Sequence, residues 1–532
     1  MSKSTETSPE KTAHRERSKG LRIVRYVIPS LIALLAIVII VGAWTKELTR
    51  DYQIATTEIT GLVSCFLLTI WFACFGNFTK RIWYVVAFAP WAVLGVACLL
   101  LKIEYTGDML PARIVWRWGA TEDSRLAVPD STGPIDLTKT TASDYPRFLG
   151  PDGIPIVNDV SLATDWNVLA PELVWRQPIG AGWSAFAIVG DYAVTQEQRG
   201  DREMVVCYEV KTGHVVWTHS DPGRFTSALG GDGPRATPTL SDGKVYTHGA
   251  GGLLNCLDGA TGERFWSHDT LSENNAENIG WGKSGSPLVV EELVIVSVGG
   301  PAGRSLIAYD KHDGTEVWNA GNDPSSYATP VLATIGGVRQ VLSINQHRIA
   351  AHRLEDGKEL WSHPWLGDSN SNATASQPVL LPGDRVFLSK GYGIGCALLQ
   401  IEADAAGLFS AKQLWASARL MNTKLTNVVV KGPYIFGLSG GILECIDSQT
   451  GERRWKRGRY GHGQNILVDN VILITTERGE IALVAANPDE FQELSRFQAI
   501  EGKTWNNPAL TGRYLLVRNH QEAACYKLPL VE

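Results

Sequence analysis

The sequence predicts an all-β chain, an eight-bladed β-propeller of four-stranded antiparallel blades, preceded by three transmembrane α-helices. Three observations carry this reading. A strand–turn–strand unit ending in Trp recurs along the C-terminal part of the chain. The repeat array opens on one surplus strand and ends one strand short. The first hundred or so residues contain three long uncharged runs.

The uncharged runs are 26–44, 59–78 and 82–101. Each is long enough to cross a hydrocarbon core of about 30 Å as a helix. Residues 1–25 form a tail with seven basic side chains (Lys3, Lys11, Arg15, Arg17, Lys19, Arg22, Arg25), and the turn between the second and third runs adds Lys80 and Arg81. The opposite side has Lys46, Arg50, Lys102, Arg113 and Arg117. This excess puts the N-terminus in the cytoplasm and the propeller outside the cytoplasmic (inner) membrane, on the periplasmic or extracytoplasmic side. The tail is long and no small-residue cleavage pattern follows the first run, so it reads as an anchor and not as a removed leader. Residues 102–144, rich in Thr, Asp, Pro and Ser, read as a juxtamembrane segment and linker. Trp116 and Trp118 suit either a headgroup interface or a short edge strand.

Residues 145–532 hold the repeat. Its clearest copies are CYEVKTGHVVW ending at Trp217, CLDGATGERFW at Trp266, AYDKHDGTEVW at Trp318, AHRLEDGKELW at Trp361 and CIDSQTGERRW at Trp455. Trp175 and Trp415 end weaker copies, and Phe497 stands in for Trp in another. Successive markers fall at a period typical of a propeller blade, roughly 40–50 residues. Within each clear copy an apolar alternating stretch precedes a polar pair and a Gly, which supplies the positive φ of a tight turn. The Trp follows four residues later on the outgoing strand, at a fixed orientation. One full period yields four strands: FAIVG, YAVTQ, MVVCYEV and HVVW. After Phe497 only NPAL, RYLLVRN and EAACYKL remain, and the strand around Trp175 supplies the missing fourth. Sharing this blade between the two ends closes the ring and removes exposed sheet edges.

The A-x-D-x-x-T-G-x-x-x-W pattern resembles that of the quinoprotein-type (PQQ-like) β-propellers, a family that includes pyrroloquinoline quinone (PQQ) dehydrogenases and the lipoprotein subunit of outer-membrane protein assembly. A narrower likeness, to membrane-anchored forms of planctomycete type, rests on YPRFLGPDG (145–153), TQEQRGD (195–201), GPRATPTL (233–240), RYGHGQ (459–464) and GKTWNNPAL (502–510). The resemblance covers residues 145–530 and implies that each repeat Trp docks between neighbouring blades. It fixes the fold, not the activity. The dehydrogenases carry a vicinal Cys pair and a Ca²⁺-binding set of Glu, Asn and Asp, and that constellation is not found here. No cofactor is therefore expected, and PQQ is a minor alternative.

Candidate chemistry is sparse, and no catalytic residue or metal ligand set is assigned. Cys207, Cys256, Cys445 and Cys525 share one phase of the repeat, where Ala308 and Ala351 also occur, and read as small packing residues. GLSGG at 437–441 imitates a nucleophile elbow but lies inside a hairpin, where that motif does not function. Asp368, Asn370 and Asn372 imitate half a calcium loop, without the Gly and Glu that such a loop needs at its sixth and twelfth places. The remaining candidates lie near the starts of the innermost strands and point towards the propeller axis: Trp183, Arg235, Lys283, Tyr327, Gln377, Lys424, His462, Gln464, Trp505 and Asn506. Together they make a polar, mildly basic funnel suited to an anionic or carbohydrate-like ligand. The net charge of −6, with a basic tail, leaves an acidic propeller unsuited to nucleic acid. The leading expectation is a membrane-anchored, non-catalytic binding module with a protein partner. A PQQ-dependent oxidoreductase and a ligand sensor are the alternatives.

Overall fold

The computed structural model describes residues 9–46, 49–75, 79–127 and 133–531, with backbone only for 9–25 and 80. Parts of the predicted elements lie outside the described residues: the first eight of the basic tail, including Lys3, the end of the second uncharged run (76–78), and linker residues 128–132. The chain divides into two compact units, Met1–Gly119 and Ala120–Glu532.

The first unit holds three helices, Pro9–Thr45, Arg50–Phe75 and Lys80–Leu100. Each contains a stretch long and apolar enough to cross a membrane: Tyr26–Thr45, Arg50–Phe75 and Arg81–Leu100. Leu31, Leu35, Val85 and Leu99 are more than half exposed. The second helix starts at Arg50, ahead of its uncharged run, because Thr56, Thr57 and Glu58 continue the same helical register. The third passes directly into a hairpin, Leu101–Tyr105 with Pro111–Trp116. Trp116 is therefore a strand residue, and Trp118 donates its indole N–H to the Leu99 carbonyl at 2.7 Å. Arg50 pairs with Asp108 at 3.3 Å within the same unit.

The second unit is the propeller, with eight blades of four antiparallel strands around one ring. Blade 1 is Ala187–Val189, Tyr192–Arg199, Arg202–Glu209 and Val215–Pro222. Blades 2 to 7 follow the same meander and end on strands Arg264–Asp269, Glu316–Ala320, Glu359–Pro364, Phe409–Ser417, Arg453–Arg459 and Glu493–Gln498. Blade 8 joins Ala509–Thr511, Tyr514–Arg518 and Glu522–Lys527 to the early strand Glu172–Pro178, with Trp175 opposite Cys525. The ring thus closes through the strand around Trp175.

Three features lie beyond the four-strand scheme, one of them a short antiparallel ladder of Thr226–Ser227 with Gly231–Asp232. Ile156–Val157 adds a short parallel fifth strand to blade 7, beside Gln464–Val468. Residues within 120–127 and 133–144 also pack within the propeller unit: Leu137 is buried among blades 1 and 2, and Asp123 accepts from Arg224 at 2.8 Å. The boundary placed at Tyr145 marks the first strand bridge, to Ile188, and not the start of packing.

The repeat residues explain the core. Across the outer hairpin the small residue faces the Trp: Cys207 opposite Trp217, Cys256 opposite Trp266, Ala308 opposite Trp318, Ala351 opposite Trp361, Cys445 opposite Trp455. A larger side chain would compete with the indole for that space. The five propeller cysteines are free and buried, and burial pushes the Cys445 and Cys525 thiols up to about 12. They are packing groups. Most of the indoles then reach into the next blade. Trp175 donates to the Val210 carbonyl at 2.7 Å, Trp217 to Gly259 at 2.9 Å, Trp318 to Leu354 at 3.0 Å, Trp415 to Ser448 at 3.2 Å and Trp455 to Asn487 at 2.9 Å. Trp361 departs from the rule and donates within its own blade, to Gln340 at 2.8 Å. The outer hairpin of blade 5 is longer than the others, so no tight T-G turn stands beside that indole.

Candidate ligand site at the propeller axis

The loops that lead into the innermost strands converge on the axis and enclose a cavity of about 130 Å³. Five residues expected at the funnel line it: Trp183, Arg235, Tyr327, Gln464 and Trp505. Phe148, Trp281, Ser284, Leu425, Asn427 and Asn507 complete most of the wall.

The walls are aromatic. Trp183 and Trp505 stand 5.0 Å apart between ring centroids, and Trp281 stacks on Tyr327 at 5.1 Å and 24°. Three of the four rings are held by their polar ends. Trp505 donates to Glu477 at 2.9 Å, and Trp183 donates to the Gly230 carbonyl. The Tyr327 hydroxyl donates to the Ser369 carbonyl at 2.6 Å and accepts the Trp281 backbone N–H at 2.9 Å. Aromatic groups whose polar tips are bonded make rigid flat surfaces. Lys503 lies 4.2 Å over the Trp505 ring and 5.2 Å over that of Trp183.

Arg235 is the charged group on this wall. One terminal nitrogen donates to the Gly231 carbonyl at 2.7 Å and approaches the Ser227 hydroxyl at 3.4 Å. The guanidinium sits 4.6 Å above the Phe225 ring. Its Nε and Nη1 are buried and have no hydrogen-bond partner among the described residues. Burial lowers the guanidinium to about 10, against the opposing charges of Glu203 and Asp232, so it remains a cation at neutral pH. Among the amides, Gln464 donates to the carbonyls of Leu425 and Trp505, both at 2.8 Å, while its own carbonyl oxygen has no donor. The side-chain oxygen of Asn507 is likewise without a donor among the described residues.

The other five expected funnel residues do not line the cavity. Lys283 is turned into the protein, where its amine donates to the Val298 carbonyl and the Ser325 hydroxyl, both at 2.6 Å. Burial lowers this amine to about 7. Gln377 binds Asn427 through its backbone N–H at 2.8 Å, and His462 binds Glu477 likewise at 3.1 Å. Lys424 lies 5.0 Å over the Tyr392 ring. Asn506 ties blade 8 to blade 1 by donating to the carbonyls of Ser184 at 2.8 Å and Gly182 at 3.2 Å. Trp281 and Asn507 were not anticipated. Trp281 lies in an irregular loop with no repeat position, whereas the NN pair at 506–507 was open to inspection.

The motifs set aside on sequence grounds sit in structural settings that match those readings. GLSGG turns between strands Tyr434–Ser439 and Ile442–Asp447. The Asp368 carboxylate accepts the backbone N–H groups of Asn370, Ser371 and Asn372 at 2.7–3.0 Å, which closes its loop on itself. Among the described residues no group of three or more His, Cys, Asp or Glu side chains is placed to hold a metal ion.

Comparison with known proteins agrees with this architecture. The profile of the family described as outer membrane protein assembly factor BamB matches residues 168–278 and 201–457, together more than half of the chain. A protein of that description from Xanthomonas campestris pv. campestris is 26% identical over 332 residues, covering 47% of this chain and 81% of that protein. Quinohemoprotein alcohol dehydrogenase ADH-IIG of Pseudomonas putida is 29% identical over 163 residues, which are 29% of this chain and 22% of that enzyme. The solved quinohemoprotein alcohol dehydrogenase from Comamonas testosteroni superposes with a TM-score of 0.51 at 14% identity, covering 73% of this chain and 82% of that one, a likeness of fold.

Proposed function

Because the chain belongs to the family described as outer membrane protein assembly factor BamB, we propose that it is a membrane-anchored propeller that binds a protein partner and has no catalytic role of its own. Family membership is the observation that carries this reading. Three apolar helices support an integral anchor, and the Lys and Arg distribution of the loops supports an inner-membrane location with the N-terminus cytoplasmic and the propeller outside. The outermost strands add a surface for docking. Before Trp266, Trp318 and Trp415 the preceding residue alternates outward as the Trp turns inward. Phe265, Val317 and Leu414 occupy that position and are 56%, 50% and 46% exposed. An extended segment of a partner adds naturally to such an edge strand.

Nothing in this reading calls for PQQ. Among the described residues the axis holds neither adjacent cysteines nor a convergent set of carboxylates, which a quinone–calcium centre of the dehydrogenase kind would need.

The test is photo-crosslinking from positions 265, 317 and 414 in native membranes, with affinity recovery of the anchored protein. One protein captured at stoichiometric levels from these rim positions, and not from exposed Leu408, is the expected result. Recovery of the chain alone, or dye-linked alcohol or sugar oxidation after loading with PQQ and Ca²⁺, would refute the proposal. A membrane-impermeant thiol reagent acting on a cysteine placed at exposed Leu408 of intact cells checks the orientation.

A further inference from the structure

We infer that the axial cavity is a binding site for a small ring-bearing organic acid, a carboxylate on a single hydroxylated ring.

The wall chemistry specifies each part of that description. Two donors of Arg235, Nε and Nη1, are buried and unsatisfied among the described residues. An unpaired buried donor costs about 1–3 kcal/mol and more when charged, so the site is incomplete without an acceptor. Nε and Nη1 lie on different edges of the guanidinium, and either donates one charge-assisted hydrogen bond to a carboxylate. The acceptor need is matched by a donor need. The side-chain oxygens of Gln464 and Asn507, on the same cavity wall, have no donors among the described residues. Both oxygens are buried, and a small side-chain shift would bring them to ligand hydroxyls. Between these polar points the surface is flat and apolar, made by Trp183, Trp505 and the stacked Trp281–Tyr327 pair. Such faces take the planar face of an aromatic ring or the C–H face of a sugar. A cavity volume of about 130 Å³ suits one ring. The cation is held in place independently of any ligand, by the Gly231 carbonyl and the Phe225 ring, which makes the site preformed.

The site does not depend on the protein-partner reading, and either can fail alone. Its test is titration of the full-length protein in nanodiscs, read by tryptophan fluorescence and by calorimetry. The probes are D-glucuronate and 4-hydroxybenzoate, with D-glucose and acetate as the neutral ring and the bare anion. Saturable binding of one of the two ring acids, at least tenfold tighter than glucose or acetate, is expected, and which acid binds assigns the ring as sugar or aromatic. Arg235→Gln should weaken it at least tenfold with unchanged thermal unfolding. Trp281→Leu should do the same, and keeps the test sharp if the first variant misfolds. The inference is overturned if neither acid saturates, if acetate binds as well as both, or if the folded variants bind like the unaltered chain.

Discussion

The indole of Trp217 lies directly against the Cα of Gly262 in the next blade. A Cβ on that glycine would fall 2.6 Å from Cε3 and 3.1 Å from Cδ2 of the ring. The same relation joins Trp175 to Gly213, Trp266 to Gly314, Trp318 to Gly357 and Trp415 to Gly451. Gly262 therefore answers two demands at once: a φ of +78° in its own turn, and room for a neighbour's ring. Gly262→Ala should destabilise the propeller by more than the ~1 kcal/mol that a positive φ alone exacts. In a Trp217→Ala background the same change should cost only that smaller backbone part. Denaturant midpoints of the two single variants and the double variant measure this coupling.

Trp266 is 9% exposed within the propeller, whereas Trp118 is 69% exposed. Trp266→Ala should cost about 3–5 kcal/mol, the range for truncating a buried aromatic. Trp118→Ala should leave the unfolding of the propeller unchanged. Equal and small effects on its thermal melting would remove the docking role of the repeat tryptophans.

Arg518 is fully buried and donates to Thr195 Oγ1 at 2.7 Å, the Gln196 carbonyl at 3.0 Å and the Gly180 carbonyl at 2.8 Å. All three acceptors come from around blade 1, so this side chain rivets the last blade to the first. Arg518→Met should leave those oxygens unpaired at a cost of about 1–3 kcal/mol for each one stranded. Limited proteolysis should then cut first near the seam, around residues 178–182, and not between other blades.

The Lys283 amine, lowered by burial to about 7, keeps its ordinary value of 10.5 in the unfolded chain. Between those two values the unfolded state holds a proton that the folded state has shed. Stability therefore rises with pH from about 7 to 10.5, and the full cost of the buried cation falls below about 7. Two donated hydrogen bonds are within the capacity of a neutral amine. Thermal midpoints should climb from about pH 6.5 to about pH 9, and Lys283→Met should flatten that part of the profile.

What the sequence made legible was periodic. The Trp, the turn glycine and the small residue opposite the indole recur at fixed offsets, and each states a local steric demand, so blades and closure followed from them. The parallel strand Ile156–Val157 has only two residues and no alternation to reveal it. The funnel positions were found by counting back from the repeat, which gives a place on the ring but not a side-chain direction. That is why Arg235 and Trp505 face the cavity while Lys283 turns to Val298 and Ser325. Trp281 sits in a loop outside the repeat, and only its stacking on Tyr327 discloses its position.

Closure by the strand Glu172–Pro178 has a temporal consequence. Arg176 and Glu522 bond at 2.8 Å although 346 positions separate them. On the ribosome the first of these partners emerges long before the second, so its edge waits unpaired through most of synthesis. Pairing at such distance is the slow step of β architectures. A message cut short before codon 522 would yield seven finished blades and an open gap, a species exposed to strand exchange and to proteases.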